Sequence, residues 1–93
     1  PSFAAEVMAK GAYLWELLEA VRARHGDVGE VRGRGLLRGF TYRGDLSALL
    51  ARLQEKGLLG LRSGTDVLRI APPLVITKEE IAEGVRIIEE ALA

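Results

Sequence analysis

Residues 67–80 read "VLRIAPPLVITKEE", with one arginine, a proline pair and a helix-start signal in close succession. Along a strand, alternate side chains face opposite ways. Leu68 and Ile70 are therefore expected to point to a core, while Val67, Arg69 and Ala71 share the other face. A guanidinium held on a rigid strand grips a carboxylate through two parallel hydrogen bonds. Pro72 and Pro73 cannot donate to a ladder, so they fix where the strand stops and give the backbone a stiff exit at a cleft edge. Taken alone, an arginine at such a position is more often exposed and inert than functional.

The other chemically suggestive residues are weaker. In "GRGLLRG", Gly33 and Gly35 begin a GxG pattern, but a dinucleotide fingerprint needs a third glycine where Arg38 stands and must open a helix. A bulged strand with surface arginines is the better reading, since glycine within a strand marks a bulge or a close backbone approach. His25 stands beside a glycine at a helix end with no serine or acid spaced for a relay, so it reads as a helix-terminal cap. Tyr13 and Trp15 fall on or beside an apolar stripe and read as core or interface. Glu79, Glu80, Glu83, Glu89 and Glu90 read as the solvated face of the last helix. Cysteine is absent and His25 is the one histidine, which argues against thiol catalysis and a protein-only zinc site.

These residues need elements to position them. Ser2 is placed to cap a helix from Phe3 to Arg24, with Phe3, Val7, Leu14, Leu18 and Val21 at helical spacing, Trp15 and Leu17 widening the stripe, and Gly26 as its C′ residue. "DVGEVRGRGLLRGFTY" suits a strand weakened by its glycines. Asp45 caps a second helix, Leu46 to Lys56, with Leu46, Leu49, Leu50 and Leu53 inward and Gly57 ending it. "LLGLRSGTDVLRIA" reads as a hairpin about Ser63–Asp66. Thr77 and Glu80 form a capping box before a helix from Lys78 to about Ala91, with Ile81, Val85, Ile88 and Leu92 on its core face. The expected order is α-β-α-β-β-α: a two-layer α+β domain, a small mostly antiparallel sheet covered by helices.

Composition bounds what such a domain does. Ninety-three residues, 48% hydrophobic and 28% charged, suit one globular domain spanning 1–93 with a thin core. A formal net charge of zero gives no overall pull toward nucleic acid or a membrane, and no apolar run approaches the roughly 20 residues a spanning helix needs. The start, "PSFAAEVMAKG", has neither an initiating Met nor the pattern of a signal peptide. The expectation is a cytoplasmic fragment or processed piece. Ten arginines against three lysines (Lys10, Lys56, Lys78) fit a thermophile or a GC-rich genome.

"EVRGRGLLRGF", then "LQEKGLLGL", then "VLRIAPPLVITKEEI" with a closing amphipathic helix resemble, in this order and across essentially the whole chain, the C-terminal small domain of the class III aminotransferases. Among these pyridoxal-phosphate enzymes the likeness is to acetylornithine and ornithine aminotransferases. The resemblance implies that Arg69, the arginine before x-x-Pro-Pro, binds the α-carboxylate of the substrate or of the 2-oxoglutarate acceptor. It also implies a homodimer with its active site at the subunit boundary, and a lid-like movement of this domain. The family's Schiff-base lysine and phosphate-binding residues belong to a large domain with no counterpart here. The chain alone is therefore expected to bind no cofactor, to contain no catalytic residue and to be inactive. "GFTYRGDLSALL" is shorter between strand and helix than the family pattern. A different reading of the residues is a stand-alone α+β binding or regulatory module pairing through its glycine-rich strand edge. Nucleic-acid binding through Arg22–Arg43 is disfavoured by neighbouring acids.

Overall fold

The computed structural model describes residues 2–93. Helix α1 (Phe3–Arg24) starts where the Ser2 hydroxyl accepts the Ala5 N–H. Strand β1 (Val28–Arg34) and strand β2 (Leu37–Tyr42) follow as an antiparallel hairpin. After three residues, helix α2 (Leu46–Glu55) opens on the Asp45 carboxylate, which accepts the Ala48 N–H. A second hairpin, β3 (Leu61–Ser63) and β4 (Val67–Ile70), precedes helix α3 (Lys78–Leu92). Both halves of the Thr77–Glu80 capping box are formed.

The order is thus α-β-β-α-β-β-α, and the single strand expected between the first two helices is two. The reason lies in backbone angles. Gly33 at φ 121° and Gly35 at φ 53° occupy conformations that side chains disfavour, so the chain folds back on itself where a continuous strand was expected. The expected irregularity is present too, as a shift in the β1–β2 register between Val28 and Val31.

The sheet runs β1-β2-β4-β3 with every pairing antiparallel, so β2 and β4 are central and the glycine-rich β1 is an edge. Val31, Phe40, Leu68 and Ile70 face the helices and are buried with Leu18 and Val21 of α1, Leu49 and Leu53 of α2, and Ile81 and Ile88 of α3. The opposite face carries Arg32, Leu37, Leu61 and Arg69, all exposed. Two layers therefore leave one side of the sheet without cover.

Two expectations about side chains need correction. Phe3 is 58% exposed, because α1 contributes no buried residue before Gly11 and its first turns have nothing beneath them. The end of α1 is where it was expected: His25 is the C-cap, extended at φ −131° and ψ 111°, and Gly26 is the C′ residue, without a positive φ, while Gly26 and Asp27 give their carbonyls to Arg43. Glu89 is not simply solvated. It is half-buried and joins α3 to the end of α1, accepting two bonds from Arg24 at 2.5 and 2.8 Å with His25 Nε2 at 3.1 Å. The Arg24 hydrogen bonds hold its carboxyl below the usual range.

Candidate functional site

Arg69 lies on β4, paired on one side with β2 and on the other with β3, so its backbone is fixed by ladder bonds in both directions. The expected alternation is observed: Leu68 and Ile70 are buried, Arg69 and Ala71 exposed, Val67 half-buried. Across the sheet, Arg32, Gly39, Arg69 and Leu61 stand in one register row. Gly39 has no side chain to fill the gap between the two arginines. They are two strand spacings apart, or about 9–10 Å. A trough of about 290 Å³ results, with Arg32 and Arg34 on one wall, Arg69 on the other and Gly39 in the floor. Leu37 and Val67 complete its apolar lining.

The floor is glycine for a reason of space. A Cβ at position 39 would run into the Leu68 carbonyl oxygen and lie 3.0 Å from the Arg69 Cα, so a side chain there would push β2 from β4. The same close approach that packs the strands leaves the trough open above them.

The charged residues of the trough are all arginines. Arg32 is tied to Glu30 at 2.7 Å, but no ion pair among the described residues engages Arg34 or Arg69. Like charges held near one another are relieved by an anionic guest. The lining holds no carboxylate, imidazole, hydroxyl, thiol or amine, so the trough has no group to act as nucleophile or general base.

Arg38, which also borders the trough, has a different task. It sits on the helix side of β2, opposite Ile70, and donates to the carbonyls of Gly35 at 2.7 Å and Gly33 at 2.9 Å. Its guanidinium lies 4.8 Å from the Trp15 ring centroid, and burial lowers its pKa. Those contacts pin the β1–β2 turn to α1. They correct the expectation of a plain surface arginine and place Trp15 against the core as expected.

Pro72 and Pro73 do border a cleft, but not the trough. They line a separate hollow of about 240 Å³ on the helix side, with Leu58, Ile70, Ile76 and Ile81. Its titratable group, Glu80, is engaged in the α3 capping box. Apart from Glu80, the lining of that hollow is apolar. His25 sits against Glu89, far in the chain from Arg69, and the structure brings no metal-ligating group of three residues together among the described ones. Sequence reasoning missed Arg32, Arg34 and Gly39. Their i, i+2 spacing was the available signal, legible once the glycine run is recognised as a turn between two strands.

The family model described as aminotransferase class-III matches residues 1–92. The chain belongs to the class III aminotransferase family. It is 43% identical over 93 residues to the acetylornithine aminotransferase of Bacillus subtilis, covering 100% of this chain and 24% of that protein. To the enzyme of the same name from Caldanaerobacter subterraneus it is 40% identical over 85 residues, 90% of this chain and 22% of the relative. Among solved structures, the N-acetylornithine aminotransferase of Stenotrophomonas maltophilia superposes with a TM-score of 0.85 at 38% identity, over 96% of this chain and 26% of that one. The ornithine aminotransferase of Plasmodium yoelii gives 0.87 at 28%, over 94% and 24%. The chain thus spans about a quarter of the length of these class III relatives.

Class III aminotransferases generally use pyridoxal phosphate, and this chain's residues do not fit that group. Its attachment needs a lysine amine free to form an imine. Lys10 Nζ donates to the Leu74 carbonyl at 3.4 Å, Lys56 pairs with Glu90 at 2.8 Å, and Lys78 lies 5.6 Å from the Tyr13 ring centroid. None of the three lines the trough.

Proposed function

We propose that this chain is the C-terminal small domain of a class III aminotransferase that moves an amino group between an acetylornithine- or ornithine-type amino acid and 2-oxoglutarate. Its own contribution is to bind a substrate carboxylate through Arg69. The observation carrying this reading is the Arg69 guanidinium itself. It stands on a doubly paired central strand, without an acid partner among the described residues, over a glycine floor in a basic trough. The names of the relatives supply the reaction class.

The role is positioning. A bidentate clamp fixes the acid end of the substrate, and holding a reactant in one pose removes much of the entropic part of its barrier. It favours anionic substrates over neutral ones of the same shape. The catalytic lysine, the cofactor-binding residues and the other subunit of a cytoplasmic homodimer lie on this reading outside the 93 residues. The chain alone then has no transaminase activity.

Replacing Arg69 by Ala in the parent enzyme is expected to raise KM for the carboxylate-bearing substrate and to cut kcat/KM by about 2–4 kcal/mol, the penalty of leaving an anion without its partner. Arg69→Lys restores the charge but not the fork and should fall between the two. An unchanged kcat/KM in Arg69→Ala would overturn the reading.

A further inference from the structure

Strand β1 carries Glu30, Arg32 and Arg34 at alternate, exposed positions, and Arg69 of β4 shares the open face of the sheet with them. Glu30 and Arg32 pair at 2.7 Å and offset each other's charge, whereas no ion pair among the described residues engages Arg34. Arg34 and Arg69 are left as uncompensated positive charges on opposite walls of the trough. Arg34 is held in place although it ends a strand. Its neighbours Gly33 and Gly35 give their carbonyls to Arg38 at 2.9 and 2.7 Å. Gly35 also packs so closely on α1 that a Cβ at Gly11 would run into its carbonyl oxygen. Arg34 lies two residues along β1 from Arg32, which shares a register row with Arg69, so the Cα atoms of Arg34 and Arg69 are about 11–12 Å apart.

We propose that Arg34 is a specificity-determining residue, whose charge favours a dianionic reaction partner over one that carries an added cation. The inference rests on the reading of Arg69 as the clamp for one carboxylate. A five-carbon 2-oxo diacid held there has its second carboxylate about 5 Å further on, by ordinary C–C bond lengths. An ornithine-type donor has an ammonium at its distal end instead, charged at neutral pH because such an amine titrates at about 10.4. An acetyl cap leaves that end neutral. Arg34 attracts the first, repels the second and is indifferent to the third. It acts through its field, not through a fixed fork. Charges about 10 Å apart interact at low salt, where the Debye length is about 30 Å at 0.01 M, and are screened at 1 M, where it is about 3 Å. Arg32 supplies no such discrimination, since Glu30 offsets it.

The test is Arg34→Gln in the parent enzyme, read as the ratio of kcat/KM for the 2-oxo diacid to that for the amino donor, acetylated or not. A ratio taken within one preparation does not depend on how much of the enzyme is folded. At about 0.01 M salt the variant should lower the ratio about 2- to 10-fold, the range for unit charges about 10 Å apart in media between a protein surface and water, with the larger change for the uncapped donor. At 1 M salt wild type and variant should converge. Arg34→Lys should keep the wild-type ratio because it keeps the charge, whereas at Arg69 the same change loses the fork. An unchanged ratio in Arg34→Gln, a drop that persists at 1 M salt, or an Arg34→Lys as impaired as Arg34→Gln overturns the proposal. Arg69→Ala should instead lower kcat/KM for both partners, because both carry the carboxylate it takes. Absence of that loss sinks the clamp alone, and an unmoved ratio sinks the Arg34 inference alone.

Discussion

Arg38 and Arg69 carry the same guanidinium on neighbouring central strands and put it to opposite uses. Arg38 turns to the helices, gives its donors to two glycine carbonyls and stacks on Trp15; Arg69 turns to the open face, where no ion pair among the described residues engages it. Strand alternation makes the difference, since the two lie in adjacent register rows. Arg38→Ala should loosen the β1–β2 turn at a cost of about 1–3 kcal/mol, read from the denaturant midpoint of the chain. Gly39→Ala should be costlier than an ordinary surface change, because the new methyl would meet the Leu68 carbonyl in the next strand. A Gly39→Ala chain as stable as the wild type would show that the β2–β4 spacing can relax. Arg69 was legible from its place before Pro72–Pro73. Its companions Arg32 and Arg34 were not, because they join it only through pairing between strands distant in sequence.

The helix ends repeat the contrast between local and distant causes. Ser2, Asp45 and the Thr77–Glu80 pair cap as their spacing demands, since a cap is made within three residues. The end of α1 is settled by contacts from elsewhere: Arg43 takes the Gly26 carbonyl, and Glu89 of α3 draws in Arg24 and His25. Arg24 holds the Glu89 carboxyl below its usual range, Lys56 and Arg86 do so for Glu90, and Arg86 for Glu83. A carboxyl depressed in the folded chain binds its proton more readily once unfolded. The stability it contributes is therefore present above the ordinary pKa of about 4.3 and lost as pH falls through the depressed folded value. Thermal melts of wild type and Glu89→Gln from neutral pH downward should show the wild type more stable at neutrality, with the gap closing in acid. A gap that stays constant with pH would refute this contribution.

The whole molecule has a thin core, centred on Phe40 of β2 and Leu18, Leu49, Leu53, Leu68 and Ile88 around it. Domains of this size are stable by only about 5–15 kcal/mol. Phe40→Ala should remove about 3–5 kcal/mol and bring the isolated chain near its unfolding threshold at room temperature, which circular dichroism would register. The helices bury one face of the sheet and leave the other to water. The exposed end of α1 adds a further uncovered surface. Among the described residues no helix is long and apolar enough to cross a membrane. Both open surfaces fit a piece that contacts the rest of a larger enzyme, and the share of the relatives that it spans fits the same picture.

Sequence by itself determined whatever depends on near neighbours: the three helices and their caps, the hairpin about Gly64, the facing of Leu68 and Ile70 inward and Arg69 outward, and the family, through motifs in a fixed order. Caps, turns and strand alternation act over two to four residues, so they can be read along a line. The turn about Gly33 and Gly35 is just as local, set by two glycines at positive φ, whereas tertiary structure alone decided that β2 lies beside β4. It also gathered Arg32 and Arg34 around Arg69 and left Phe3 without a core to enter. Those outcomes depend on which strand pairs with which and on how far the core extends. Both are set by packing between residues that the chain itself holds far apart.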